Sequence, residues 1–153
     1  MAEEARSALE NMRAILQQAL DLSVPLSPRA HVLAALDRIA ERALKVLDRV
    51  DDPDAGIDQL ATVLELRDLA REEQRWVDSL FRDETPEEAH RQVLIIFKVV
   101  MSQIEAASMN AIALAGSNRQ AESAWWATRA GELAAKAMSV ATGAFGLPDG
   151  RLG

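Results

Sequence analysis

Apolar residues recur at helical spacing in five stretches of the chain, and short turns rich in proline, glycine or acidic residues separate them. The first stretch, from about Glu3 to Leu22, places Ala5, Ala8, Leu9, Met12, Ile15, Leu16, Ala19 and Leu20 on one face and Arg6, Glu10, Arg13, Gln17 and Asp21 opposite. Ser23-Val-Pro-Leu-Ser-Pro28 ends it, because proline cannot continue the hydrogen-bond ladder. Ser27 then suits an N-cap with Pro28 at the first helical position.

The second stretch, Pro28 to about Val50, carries Val32, Leu36, Ile39, Ala43, Val46 and Val50 at alternating spacings of four and three, the seam of a bundle helix. Asp37, Arg38, Glu41, Arg42 and Lys45 form its wet side, and His31 reads as a solvated residue of that side. The third, from Pro53 or Ile57 to Phe81, points Ile57, Leu60 and Leu64 one way and Leu66, Leu69, Ala70, Trp76 and Val77 nearly the other. Such a helix either kinks near Glu65 or passes between two partners.

Thr85-Pro-Glu-Glu88 combines a cap, an N1 proline and a closing glutamate, and predicts a helix from there to about Ala115. This fourth helix is apolar around most of its circumference, which predicts a central helix or one shared between subunits. One arc holds Val93, Phe97, Val100, Ile104, Ala107 and Ala111; a smaller strip holds Ile95, Val99, Ala106 and Ala113. Between them run a charged strip, Arg91, Lys98, Ser102 and Glu105, expected at the exposed edge, and an amide strip, Gln92, Gln103 and Asn110. Ser117-Asn-Arg-Gln120 reads as a second capping box, and a fifth helix follows to about Phe145. The pattern predicts an all-α bundle of about five helices forming a single domain over 1–146, with a short tail over 147–153.

Composition narrows the chemistry. With no cysteine among 153 residues, disulfides, thiolate metal sites and cysteine nucleophiles are excluded. The formal charge of −7 argues against a nucleic-acid partner, since binding a polyanion relies on Lys and Arg displacing counterions. The N-terminal segment lacks the basic start and apolar run of a signal peptide. The apolar stretch from Val93 to Ala115 carries Lys98, Gln103, Glu105 and Asn110, an uneasy mixture for a membrane span. The expectation is a cytoplasmic protein without a membrane.

No phosphate-binding glycine loop or nucleophile elbow occurs. Glu87 and His90 have the Glu-x-x-His spacing of di-metal bundles, but those need a second such motif and further glutamates, so no metal or cofactor is expected. Glu73 falls inside the apolar stripe of helix three. A buried carboxylate must be paired, hydrogen-bonded or shifted, so Glu73 is a ligand-facing acid, half of an interhelical ion pair with an arginine, or a stripe edge that solvent reaches. Ala115 to Trp126 resembles the turn and recognition helix of a helix-turn-helix, but Ser117 and Glu122 stand where that motif is apolar, and the preceding helix is too long. Trp125 projects to the polar side of helix five beside Arg129, as a docking anchor would, while Trp126 turns inward.

These features predict a non-enzymatic helical interaction protein, an oligomeric scaffold, adaptor or regulatory subunit. Its protein interface would use Trp125, Arg129, Gln103 and Asn110, and it would self-associate through helix four. The alternative is a small-molecule- or nucleic-acid-responsive regulator using a degenerate helix-turn-helix-like segment near 111–126.

Overall fold

A computed structural model describes residues 2–22, 27–50, 56–83, 86, 88–117 and 119–145; the side chains of 2, 56–58, 89 and 141–145 are outside that description. Five helices make up the fold, α1 (Ala2–Asp21), α2 (Pro28–Val50), α3 (Gly56–Asp83), α4 (Glu88–Gly116) and α5 (Gln120–Phe145). The all-α bundle expected from the pattern is the observed architecture, as a single compact domain. The loops at 23–26 and 51–55, the Thr85 cap and the tail over 147–153 lie outside the described residues.

Helices α2, α3, α4 and α5 each pack on the next, and α5 closes back on α2. Short connections make sequential helices antiparallel, so these four form an up-and-down bundle. Helix α1 lies over the groove between α2 and α5. Leu9 and Leu16 of α1 are fully buried there, each contributing about 1.5–3 kcal/mol of apolar burial. Its charged flank is tied to α2 by Arg13, whose Nε donates to Asp37 at 2.9 Å, and by Arg6 to Asp48 at 3.3 Å.

Because α2 touches α1, α3 and α5, a single seam does not suffice for it. Leu33, Ala35, Ala40 and Leu47 are buried in addition to Val32, Leu36, Ile39, Ala43 and Val46. The helix starts as its sequence dictates, with Ser27 Oγ accepting from the Ala30 amide at 3.1 Å.

Of the two expectations for α3, passage between two partners is the one realised: α3 is continuous and packs on both α2 and α4. Its buried positions are Val63, Leu66, Ala70, Glu73 and Val77, a heptad seam with a carboxylate in it.

Helix α5 approaches its neighbours through small residues. Ala127, Ala130, Ala134 and Ala137 are buried, and a Cβ on Gly131 would meet Leu47 Cδ2 of α2 at 2.8 Å. The tight α4–α5 corner differs from the expected capping box. The Ser117 hydroxyl donates back to the Ala113 carbonyl at 3.2 Å, and α5 begins with the Ser123 amide on the Arg119 carbonyl at 2.9 Å. Ser117 therefore finishes α4 instead of capping α5.

Candidate functional site

Helix α4 sits on the perimeter of the bundle, packed on α3 and α5 alone among the major contacts, so among the described residues no other helix covers its outer side. Its inner face fills the core through Leu94, Phe97, Met101, Ile104, Ser108 and Ala111. The Ser108 hydroxyl is satisfied by the Ile104 carbonyl at 2.8 Å. The outer face repeats the same spacing. Gln92, Ile95, Val99, Ser102, Ala106, Met109 and Ala113 alternate by three and four, and every one is exposed. Within it Ile95 is 50%, Val99 49% and Met109 41% exposed, and Ile96 lies beside them. Two large aliphatic side chains at such exposure, one turn apart on a face whose seam positions are exposed over six turns, are unusual on a monomer surface. By length and composition α4 is also, among the described residues, the one helix apolar enough to cross a membrane.

Gln103 and Asn110 are exposed beside this outer seam. The charged strip does not form the exposed edge that was expected of it throughout. Arg91 and Ser102 are exposed, but Lys98 and Glu105 turn toward α3. Lys98 Nζ pairs with Asp78, and Glu105 accepts from Arg71 Nε at 2.7 Å and from Gln74 Nε2 at 2.8 Å. The Arg71 hydrogen bond outweighs desolvation and holds the Glu105 carboxyl below its ordinary value.

Trp125 on α5 is 60% exposed, edge-on to Trp126 with ring centroids 4.8 Å apart. Trp126 is partly buried against the core. Arg129, one turn on, is exposed and lies 3.9 Å from Glu132. The geometry thus leaves the Trp125 indole on the surface, with its partner tryptophan turned inward.

Glu73 is 2% exposed, and both of its oxygens are engaged across the α2–α3 interface. Oε1 accepts from Arg38 at 3.1 Å, and Oε2 lies 2.8 Å from His31 Nε2. The arrangement is the interhelical ion pair, closed over by its own two partners. The reading of His31 as a solvated histidine is corrected by the same cluster: its ring lies on Trp76 of α3 with centroids 3.6 Å apart. Sequence reasoning had Glu73 and Trp76 on the α3 stripe, but it had Arg38 only as part of a wet face. No local signal pairs residues on helices 35 positions apart.

His90 is exposed and borders a shallow hollow with Pro28, Arg29, Val32, Val93 and Leu94, largely apolar. Glu87 lies outside the described residues, among which no cluster of three or more metal-ligating side chains occurs. In the 111–126 segment, α4 and α5 run side by side as a hairpin, pinned by the buried Ser123 hydroxyl on the Ala111 carbonyl at 2.7 Å. Glu122, at the position a recognition helix keeps apolar, is exposed and accepts from Arg119 at 2.6 Å. No protein-family model, curated protein or solved structure matches the chain.

Proposed function

We propose that the protein works by association and not by catalysis, as an oligomeric scaffold, adaptor or regulatory subunit that docks helices of other protein chains. One observation carries this reading, the exposed heptad seam on the outer face of α4, from Gln92 to Ala113. A surface whose apolar residues follow a coiled-coil period is complementary to another helix, because only a helix presents side chains at the matching spacing. Trp125 and Arg129 supply a second anchor of the residue types that concentrate binding energy.

The charge pattern supports a protein partner over nucleic acid. The outer seam of α4 is uncharged from Gln92 to Ala113, and the chain carries a formal charge of −7. The paired charges at Lys98 and Glu105 toward α3 suit a helix that is dry on its inner side and docks protein on its outer side. A cytoplasmic location fits the same reading.

Capture from the native host, with wild type and Val99→Lys as parallel baits, tests it. Val99 is exposed, so the substitution leaves the fold intact, as circular dichroism will verify. A chain retained by wild type and lost by Val99→Lys, whether another protein or an untagged copy of this one, supports the reading. Identical captured sets overturn it.

A further inference from the structure

We infer that the occupant of the outer α4 seam is the α4 of a second copy, docked antiparallel about a two-fold axis near residues 100–101. The inference rests on the association reading above and deepens it. It follows from the placement of charge and size along this one helix.

In an antiparallel helix pair, each residue of one seam position faces the other seam position, and the flanking residues on one side meet their own kind across the axis. The seam of α4 is flanked on its α3 side by Lys98 and Glu105, one heptad apart and opposite in sign. Three registers keep the seam aligned near the middle of the helix. In the central one, Lys98 of each copy comes opposite Glu105 of the other, twice per dimer. Shifting by one heptad in one direction brings Glu105 opposite Glu105; shifting in the other sets Arg91 opposite Glu105 but brings Lys98 opposite Lys98. A parallel pair sets Lys98 against Gln103 and Glu105 against Asn110, with no charge compensated. Only the central register pairs opposite charges and sets no like charges against each other, so charge selects one orientation and one register.

The side chains agree with that choice. The central register stacks Ile95 on Ala106 and Val99 on Ser102, a large residue on a small one in each layer, so the helices approach closely without voids. Gln92 meets Met109, two long flexible side chains, at the ends. The existing intrachain pairs also fit. Lys98 already holds Asp78, and Glu105 already holds Arg71. Docking joins them into a chain of alternating sign, Asp78, Lys98, then Glu105 and Arg71 of the second copy. Two copies that each carry a formal charge of −7 meet on a face free of net charge, which keeps their mutual repulsion away from the contact. The contact is isologous and closes at two subunits.

Sedimentation equilibrium and background-free crosslinking test it, the latter because the chain has no cysteine. Wild type is expected as a dimer. Lys98→Glu and Glu105→Lys, studied separately, each place like charges in both cross-dimer pairs and should dissociate at least tenfold more readily. Mixed together they restore both pairs, so a heterodimer forms where neither homodimer does. Ile95→Cys and Ala106→Cys should form a disulfide with each other when mixed and none when alone. If Ile95→Cys crosslinks to itself, or the charge-swapped mixture stays monomeric, the antiparallel register is overturned while association through α4 stands. If wild type is monomeric at hundreds of micromolar, the second copy is overturned as occupant, and the Val99→Lys capture decides separately whether the face binds another protein.

Discussion

The imidazole of His31 lies flat on the indole of Trp76, ring centroids 3.6 Å apart and planes within 8° of parallel. The stack fixes the ring so that Nε2 reaches Glu73 at 2.8 Å, and Arg38 takes the other oxygen. A carboxylate in the α3 seam is thereby held from α2 at two points one heptad apart.

From that arrangement follows a ranking of substitutions at Glu73. Glu73→Gln keeps the volume but replaces two charge-assisted bonds by weaker ones, at a cost of about 1–3 kcal/mol. Glu73→Leu should cost less than Glu73→Gln, or stabilise, because His31 and Arg38 are 34% and 45% exposed and can be solvated once released. Urea unfolding of the two variants checks the order. Unfolding of the leucine variant beside a wild-type-like glutamine variant would contradict it.

Acid sensitivity should arise in part at Glu105. Its folded pKa lies below the ordinary glutamate value because Arg71 donates to it, so its contribution is present above the unfolded value and is lost as pH falls through the folded one. Melting temperature measured from neutral pH to about pH 2 should therefore fall less steeply on the acid side for Glu105→Gln than for wild type. Parallel curves would mean that the pair contributes nothing to folding.

Gly131 marks the closest approach of α5 to α2. An alanine there gains up to about 1 kcal/mol of helix propensity but drives its methyl into the side chain of Leu47, which is 1% exposed and must shift within the core to make room. Overpacking of this kind costs about 1–3 kcal/mol, so Gly131→Ala should destabilise on balance. Combining it with Leu47→Ala should cost less than the sum of the two single changes in thermal unfolding.

Trp125 is expected to matter for association more than for folding. Trp125→Ala exposes little new surface and should shift stability by less than about 1 kcal/mol, while weakening partner retention by tenfold or more. Loss of about 2 kcal/mol of stability with binding unchanged would place Trp125 among ordinary packing residues.

The amides beside the outer seam carry a related expectation. Replacing Gln103 and Asn110 by leucine leaves the monomer fold unaltered because both are exposed, yet widens the apolar face. Stability should hold, and the solution mass should become heterogeneous as alternative registers gain contacts. A single unchanged monomeric mass in wild type and variant would remove these two residues from any interface.

The periodic placement of apolar residues determined the number of helices, their limits within a few residues, and the all-α architecture, because a 3.6-residue period is a local property. It also determined that α4 has apolar residues on opposed faces, that Glu73 interrupts an apolar stripe, and that Trp125 points away from Trp126. Tertiary structure decided which of those faces is covered. The pattern of α2 shows one seam, yet three neighbouring helices bury a wider arc that takes in Leu33, Ala40 and Leu47. The pattern of α4 allows enclosure, yet α3 and α5 cover only its inner side and leave Ile95 and Val99 exposed. Glu105 and Lys98 read as solvated charges until α3 brings Arg71 and Asp78 beside them. His31 reads as a surface histidine until Trp76 and Glu73 arrive from 42 and more positions along the chain. A period of residues along one helix specifies directions around that helix alone; which neighbour stands in each direction depends on how five helices share a single core.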